Sequence, residues 1–179
     1  NKFSSGASNR GDYELYVNDS NKLGMIYSAN GTYDAGQYTE RVQDTASMTS
    51  TGVWYHMAGT ADVSAQTIVL YVNGSEVAST NIATGATAIN NSTYPVGLGA
   101  RIQSGSPAGF LDGRLSVVRI WNDIRTGTEI ADNMCTLFDA AEAGMAAEWS
   151  LDNVLTDASG NANTLTNNNS VTFGVDTPA

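Results

Sequence analysis

The dipeptide Asn73-Gly74, inside "TIVLYVNGSEVAST", constrains this chain more than any other feature. On either side of it stands a β-rich run, bounded so as to read as a strand. Only two residues join the runs. A two-residue connection that matches the twist of its strands needs positive φ at both central positions, which Asn and Gly accept more readily than other residues. The stretch predicts an antiparallel hairpin closed by a type I′ turn. Such a hairpin is marginal alone, so further strands must cover its apolar face.

Those strands are legible as short segments ended by Gly, Asn or Asp. "YELYV" (13–17) and "KLGMIYS" (22–28) flank the polar turn "NDSN" and form a second hairpin. "YTERVQD" (38–44), "VWYHMAGTAD" (53–62), "YPVGLGA" (94–100), "GRLSVVRIW" (113–121), "AAEWSLD" (146–152) and "SVTFGV" (170–175) follow as candidate strands. One segment breaks the pattern. In "RTGTEIADNMCTLFDAAEAG", Thr126 and Glu129 form a capping box. Ile130, Met134, Leu137, Phe138 and Ala141 then recur at helical spacing, which predicts a surface helix near 127–143 ended by Gly144. Cys135 falls on the apolar side of that helix and reads as a small core residue. Many short antiparallel strands with one helix predict an all-β jelly-roll sandwich. With 179 residues, one domain over 1–179 is expected.

Charge narrows the partners. Eight Lys+Arg against eighteen Asp+Glu leave a formal net charge of −10. Such a surface repels phosphate backbones and anionic lipid, which argues against nucleic acid as a partner. No apolar run is long enough to span a membrane, which argues against insertion. A single cysteine forbids an intrachain disulfide. Loops rich in Asn, Ser, Thr and Gly suit an extracellular, cell-surface or virion-surface setting. The chain opens without Met or a secretory leader, which suggests a processed product or a fragment.

Three stretches carry a family resemblance. "GVWYHMAGTADVSAQTIVLYVNGSEVAS" resembles the middle of the laminin-G-like, concanavalin A-like jelly-roll domains, where a Trp-x-His strand precedes a long hairpin. "FLDGRLSVVRIWNDIRTGTEI" resembles their Phe-x-Gly strand ending in Arg-x-Trp and followed by a short helix. "AAEWSLDNVLTDASGNANTLTN" resembles their closing Trp strand and Asp-x-Ser-Gly-Asn loop. The resemblance implies a lectin- or glucanase-like sandwich whose commonest ligands are glycans. Two departures matter. Family domains usually open with further strands, so a neighbouring protein subunit or a lost upstream segment is expected to supply them. Where many members carry an acidic pair before Arg-x-Trp, this chain has Ser116-Val117, so no role of that pair transfers.

Catalysis finds little support. Retaining glycoside hydrolysis needs two carboxyl groups about 5 Å apart, and the Glu-x-Asp-x-x-Glu pattern of the glucanase branch is absent. Glu148 and Asp152 are the nearest pair and read as a solvated strand face. His56, the only histidine, has no nucleophile elbow to serve and reads as a partly buried strand residue. The chain is expected not to be an enzyme.

Binding is the better expectation. Tyr33, Asp34, Gln37 and Tyr38, in "NGTYDAGQYTE", combine aromatic faces with amide and carboxylate groups, the chemistry of a site for a glycan or surface polysaccharide. Asp157, Ser159, Asn161 and Asn163 place oxygen atoms at alternating positions around Gly160, which is compatible with Ca²⁺, although the same residues make an ordinary self-bonded turn. Asn-x-Ser/Thr triplets at Asn18, Asn30, Asn73, Asn90, Asn91 and Asn168 matter only in a eukaryotic secretory pathway. Arg10-Gly11-Asp12 matches an adhesion tripeptide but reads better as the polar approach to the strand at 13–17. The leading function is a non-catalytic, extracellular glycan-binding or adhesion module. The alternative is a structural surface protein, such as a virion decoration, tail or filament subunit.

Overall fold

The protein, described from a computed structural model, is seen at residues 2–5, 10–32, 38–43, 47–82, 86–103, 106–138 and 142–174. It comprises two compact units, residues 1–112 and 113–179.

The first unit holds two sheets. The larger has six strands in the order β4-β3-β2-β1-β8-β9, where β1 is Lys2–Ser5, β2 Arg10–Val17, β3 Leu23–Ser28, β4 Tyr38–Val42, β8 Arg101–Gln103 and β9 Ser106–Ala108. The smaller joins β5 (Met57–Asp62), β6 (Thr67–Val72) and β7 (Ser75–Asn81). Pairing is antiparallel except for β1 with β8. The fold is thus an all-β sandwich, as expected.

Alternation within strands builds its core. Leu23, Met25 and Tyr27 of β3 meet Ala61 of β5, Ile68 and Leu70 of β6, and Ala78 of β7, with Ile82 and Ala86 closing the cluster. Burying one such aliphatic side chain contributes about 1.5–3 kcal/mol. The sheets approach closely at Gly59, where an added Cβ would lie 2.6 Å from the Met25 sulfur and 3.0 Å from Leu15 Cδ1. The Asn73-Gly74 turn has φ values of 49° and 76°, as the hairpin reading requires. At the other hairpin, the Asn18 carboxamide oxygen accepts from Ser20 N and Lys22 N at 2.9 and 3.0 Å.

The second unit pairs β10 (Val118–Trp121) with β11 (Met145–Trp149) across the helix α1 (Gly127–Asn133). The Thr126–Glu129 capping box forms. The helix is shorter than its periodicity predicts. At Asn133 the carbonyl accepts from Arg119 Nη1 at 2.9 Å and from Thr136 N at 3.2 Å, bonds that divert it from a continuing helical ladder. Beyond that point Phe138 N donates to Glu148 Oε1 at 3.1 Å, so the chain runs toward β11. Cys135 is consequently exposed, which corrects its reading as a core residue.

Other expected strands shorten or vanish. The strand expected over 53–62 begins at Met57, and that over 113–121 begins at Val118. Residues 94–100 and 170–174 form no strand. At Val171 the backbone N–H and C=O are both met by the Asn167 side chain, at 2.9 and 2.8 Å, so local bonds replace a ladder.

Candidate functional site

The strand β2 carries Arg10-Gly11-Asp12 within its ladder rather than in a loop before it. Its alternation turns Tyr13, Leu15 and Val17 to one face and Asp12, Glu14 and Tyr16 to the other. The pairs Tyr13↔Tyr27 and Ser28↔Tyr38 bring Asp12, Ser28 and the head of β4 to one end of the six-stranded sheet. There Asp12 is 0% exposed. A receptor that reads the tripeptide must reach that carboxylate, so the burial removes the adhesion reading.

What Asp12 does instead is join two loops. Its Oδ2 accepts from Ser92 N at 2.9 Å and Ser92 Oγ at 2.7 Å, and its Oδ1 accepts from the Asn90 amide. Asn90 N in turn donates to Ser28 O at 3.0 Å. The opposite loop, 28–32, is braced from within. Ser28 Oγ donates to Thr32 O and accepts from Gly31 N, at 2.8 and 3.0 Å, while Asn30 Oδ1 accepts from Thr32 N and Oγ1 at 2.9 and 2.7 Å. Tyr27 OH reaches Ala88 O at 2.6 Å and ties the same segment to β3. A carboxylate withdrawn from water is tolerated only with such donors around it. Burial pushes the Tyr13 hydroxyl above its ordinary pKa, and the neighbouring Asp12 adds to the rise. Burial alone raises Tyr27.

The result is a firm frame of amides and hydroxyls. Asn30, Asn91 and Thr93 are exposed on it, and Thr32, Ser92 and Tyr94 are half-buried. Of the expected sugar site, Tyr33, Asp34 and Gln37 lie outside the described residues, and for Tyr38 only its place at the head of β4 is described. Thr32 leads directly into that segment. Sequence reasoning missed Asp12, Asn90 and Ser92 as a unit, because no local spacing signals partners about eighty positions apart.

The second candidate lies in the other unit. Asp157, Ser159, Asn161 and Asn163 do come together, but against β11. Asp157 Oδ1 accepts from Glu148 N and Ser159 N at 3.0 and 2.9 Å, and Oδ2 accepts from Asn163 N at 2.9 Å. Ser159 Oγ donates to Ala146 O at 3.3 Å. The Asn161 amide reaches Met145 O and Ala146 O at 3.0 and 3.1 Å, and the Asn163 amide reaches Ala146 O at 3.0 Å. Partial burial pushes the Asp157 pKa up, but these N–H donors and the Ser159 hydroxyl outweigh it and hold the group at about 2. A hard cation needs oxygens converging on one point. Here both carboxylate oxygens accept N–H bonds and the amides donate to β11, an arrangement that fits a backbone clasp better than a calcium cage. Among the described residues no cluster of three or more His, Cys, Asp or Glu could hold a metal.

Beside this clasp, Glu148 is 1% exposed and pairs with Arg119 Nε at 2.6 Å, which corrects its reading as part of a solvated face. Arg119 also stacks on Phe138, 4.9 Å from the ring centre, and Phe138 meets Trp121 edge-on. Asp152 is exposed beyond the end of β11, past the positive φ of Leu151, so it makes no pair with Glu148. His56 precedes β5, with its N–H on Asn73 Oδ1 and its C=O on Asn73 N, both at 2.9 Å. Among the described residues no helix is long and apolar enough to cross a membrane.

Residues 1–131 match the model of the concanavalin A-like lectin/glucanases superfamily. A solved structure of a candidate carbohydrate-binding protein from Bacteroides ovatus ATCC 8483 is similar at 20% identity and a TM-score of 0.52, covering 85% of this chain and 46% of that one. The match therefore spans less than half the length of that protein. An S-layer domain-containing protein from Clostridium thermocellum ATCC 27405 is similar at 22% identity and a TM-score of 0.37, covering 63% of this chain and 51% of that one. No curated protein sequence matches the chain significantly.

Proposed function

Because the chain belongs to the concanavalin A-like lectin/glucanases superfamily, we propose that it is a non-catalytic module that binds glycans at an extracellular or cell surface. The observation that carries this reading is the polar end of the six-stranded sheet. Sugars are held by amides, hydroxyls and aromatic faces whose positions are set before the ligand arrives. Asp12 supplies that order by fastening segment 90–92 to the sheet, next to the braced loop 28–32. On this reading Tyr33, Asp34, Gln37 and Tyr38 are the residues proposed to contact the sugar, together with the exposed amides of Asn30 and Asn91. The description of the Bacteroides ovatus protein as a candidate carbohydrate binder is consistent with this reading. Binding is favoured over hydrolysis because Asp12 and Glu148 are buried in structural bonds, and Glu148 and Asp152 are not paired. We read the chain as one domain; the family match itself covers the first unit and the start of the second, to residue 131.

A glycan array tests the proposal. The intact chain is expected to retain a set of surface polysaccharides, and Tyr33→Ala with Tyr38→Ala is expected to abolish retention without lowering the melting temperature. Sugar release from β-glucan would overturn the non-catalytic reading. An ordered assembly with no affinity for any sugar would replace it with a structural surface role.

A further inference from the structure

The chain contains two Asn-Gly pairs, Asn30-Gly31 and Asn73-Gly74, and their surroundings differ. Such a pair can react with itself. The backbone nitrogen of the glycine adds to the asparagine Cγ, a C–N bond forms, and the side-chain nitrogen leaves as ammonia. The cyclic imide then takes up one water at either carbonyl and opens to aspartate or to isoaspartate. Asparagine and water become an acid and ammonia, with no change of oxidation state and no further reactant. The step needs a nitrogen not tied up in the fold, an absence of side-chain bulk on the following residue, and room for the chain to turn.

At Asn30 the fold withholds these conditions. Gly31 is buried, its N–H donates to Ser28 Oγ at 3.0 Å, and the Asn90 amide nitrogen lies 2.7 Å from where a Cβ would stand. Asn73 is exposed at the tip of the β6–β7 hairpin, and the Gly74 N–H has no internal hydrogen bond among the described residues. The carboxamide oxygen of Asn73 already accepts from His56 N at 2.9 Å. Charge that develops on this oxygen as the nitrogen adds thus meets a donor already in place. Asn30 Oδ1 also has donors, from Thr32, so the state of the glycine nitrogen is what separates the two sites.

We propose that Asn73 is a site of spontaneous, imide-mediated deamidation in this chain, and that Asn30 is protected from it by the fold. The two products differ in consequence. Aspartate at 73 keeps an acceptor for His56 N. Isoaspartate adds a methylene to the main chain, which breaks the two-residue turn and the bond from Asn73 N to His56 O.

The test is peptide mapping by mass spectrometry of the full chain held in mildly alkaline buffer, once folded and once in urea, with fragmentation that separates isoaspartate from aspartate. In the folded chain Asn73 is expected to convert roughly tenfold or more faster than Asn30, since reaction at Asn30 first requires a buried bond to open. In urea the two rates are expected to converge. Equal rates in the folded chain, or conversion of Asn73 only in urea, would overturn the proposal. Isoelectric focusing reads the same event independently as the gain of one negative charge.

Discussion

Asp12 and Asp157 do similar chemistry over very different distances along the chain. Each aspartate accepts backbone N–H and hydroxyl donors and so fastens a loop to a strand. Asp12 closes a separation of 78 to 80 residues and is fully buried. Asp157 bonds partners 2 to 9 residues away and is only partly covered. The first clasp organises the polar end of the six-stranded sheet. The second tidies a turn beside β11. An acidic residue in a polar stretch therefore says little about function until its partners are known, and burial separates the two cases.

The comparison can be broken by substitution. The largest effect is expected at the long-range pair next to the second clasp. Arg119→Met strands the Glu148 carboxylate, and chemical denaturation should show a loss of about 3–5 kcal/mol, mostly recovered by adding Glu148→Leu. A small loss would mean that the Asp157 clasp, not the ion pair, holds this unit. Next comes Asp12→Ala, which leaves the Asn90 amide and the Ser92 N–H and hydroxyl without their acceptor. About 3 kcal/mol should be lost, and glycan retention should fall with it if the frame orders the site. Asp157→Ala should cost about 1 kcal/mol, because water can replace the aspartate where the loop is open. If the two alanine variants lose equal stability, the contrast between long-range and local clasps fails.

Acid sharpens the same point. The Asp157 pKa stands at about 2 in the folded chain, against an ordinary value of 3.8. Its depressed value contributes stability that is present above 3.8 and lost as the pH falls from there through about 2. Stability curves of the parent and of Asp157→Asn should differ in slope across that window, and parallel curves would remove the carboxylate from the account. The smallest effect is expected from calcium. Adding it, or chelating it, should leave the melting temperature unchanged, whereas a clear rise with Ca²⁺ would turn the 157–163 loop into an ion site.

What was legible in the sequence follows the same division. The Asn73-Gly74 turn and the Thr126–Glu129 capping box rest on partners a few residues apart, and both formed as read. The end of α1 did not, because the decisive acceptor and donor are Asn133 and Arg119, on different elements. Glu148 looked solvated because strand alternation says nothing about an arginine on the neighbouring strand. The Asp12 frame was hidden for that reason, and the tripeptide containing it read as a polar approach to the strand rather than as part of it. Of the proposed sugar-facing residues, Tyr33, Asp34 and Gln37 remain known from their chemistry, and Tyr38 from its place at the head of β4.

Gly59 adds a consequence of another kind. With the Met25 sulfur and Leu15 so close to its missing Cβ, the hydrogen atom at position 59 acts as the spacer that gauges the sandwich. Even alanine there must push the sulfur aside or wedge the sheets apart, and every pair of interleaved core side chains would feel the added thickness. At the rim, side chains such as Asn90 and Ser92 hold the loops by hydrogen bonds, whereas at this point the spacing of the two sheets depends on a residue that has no side chain.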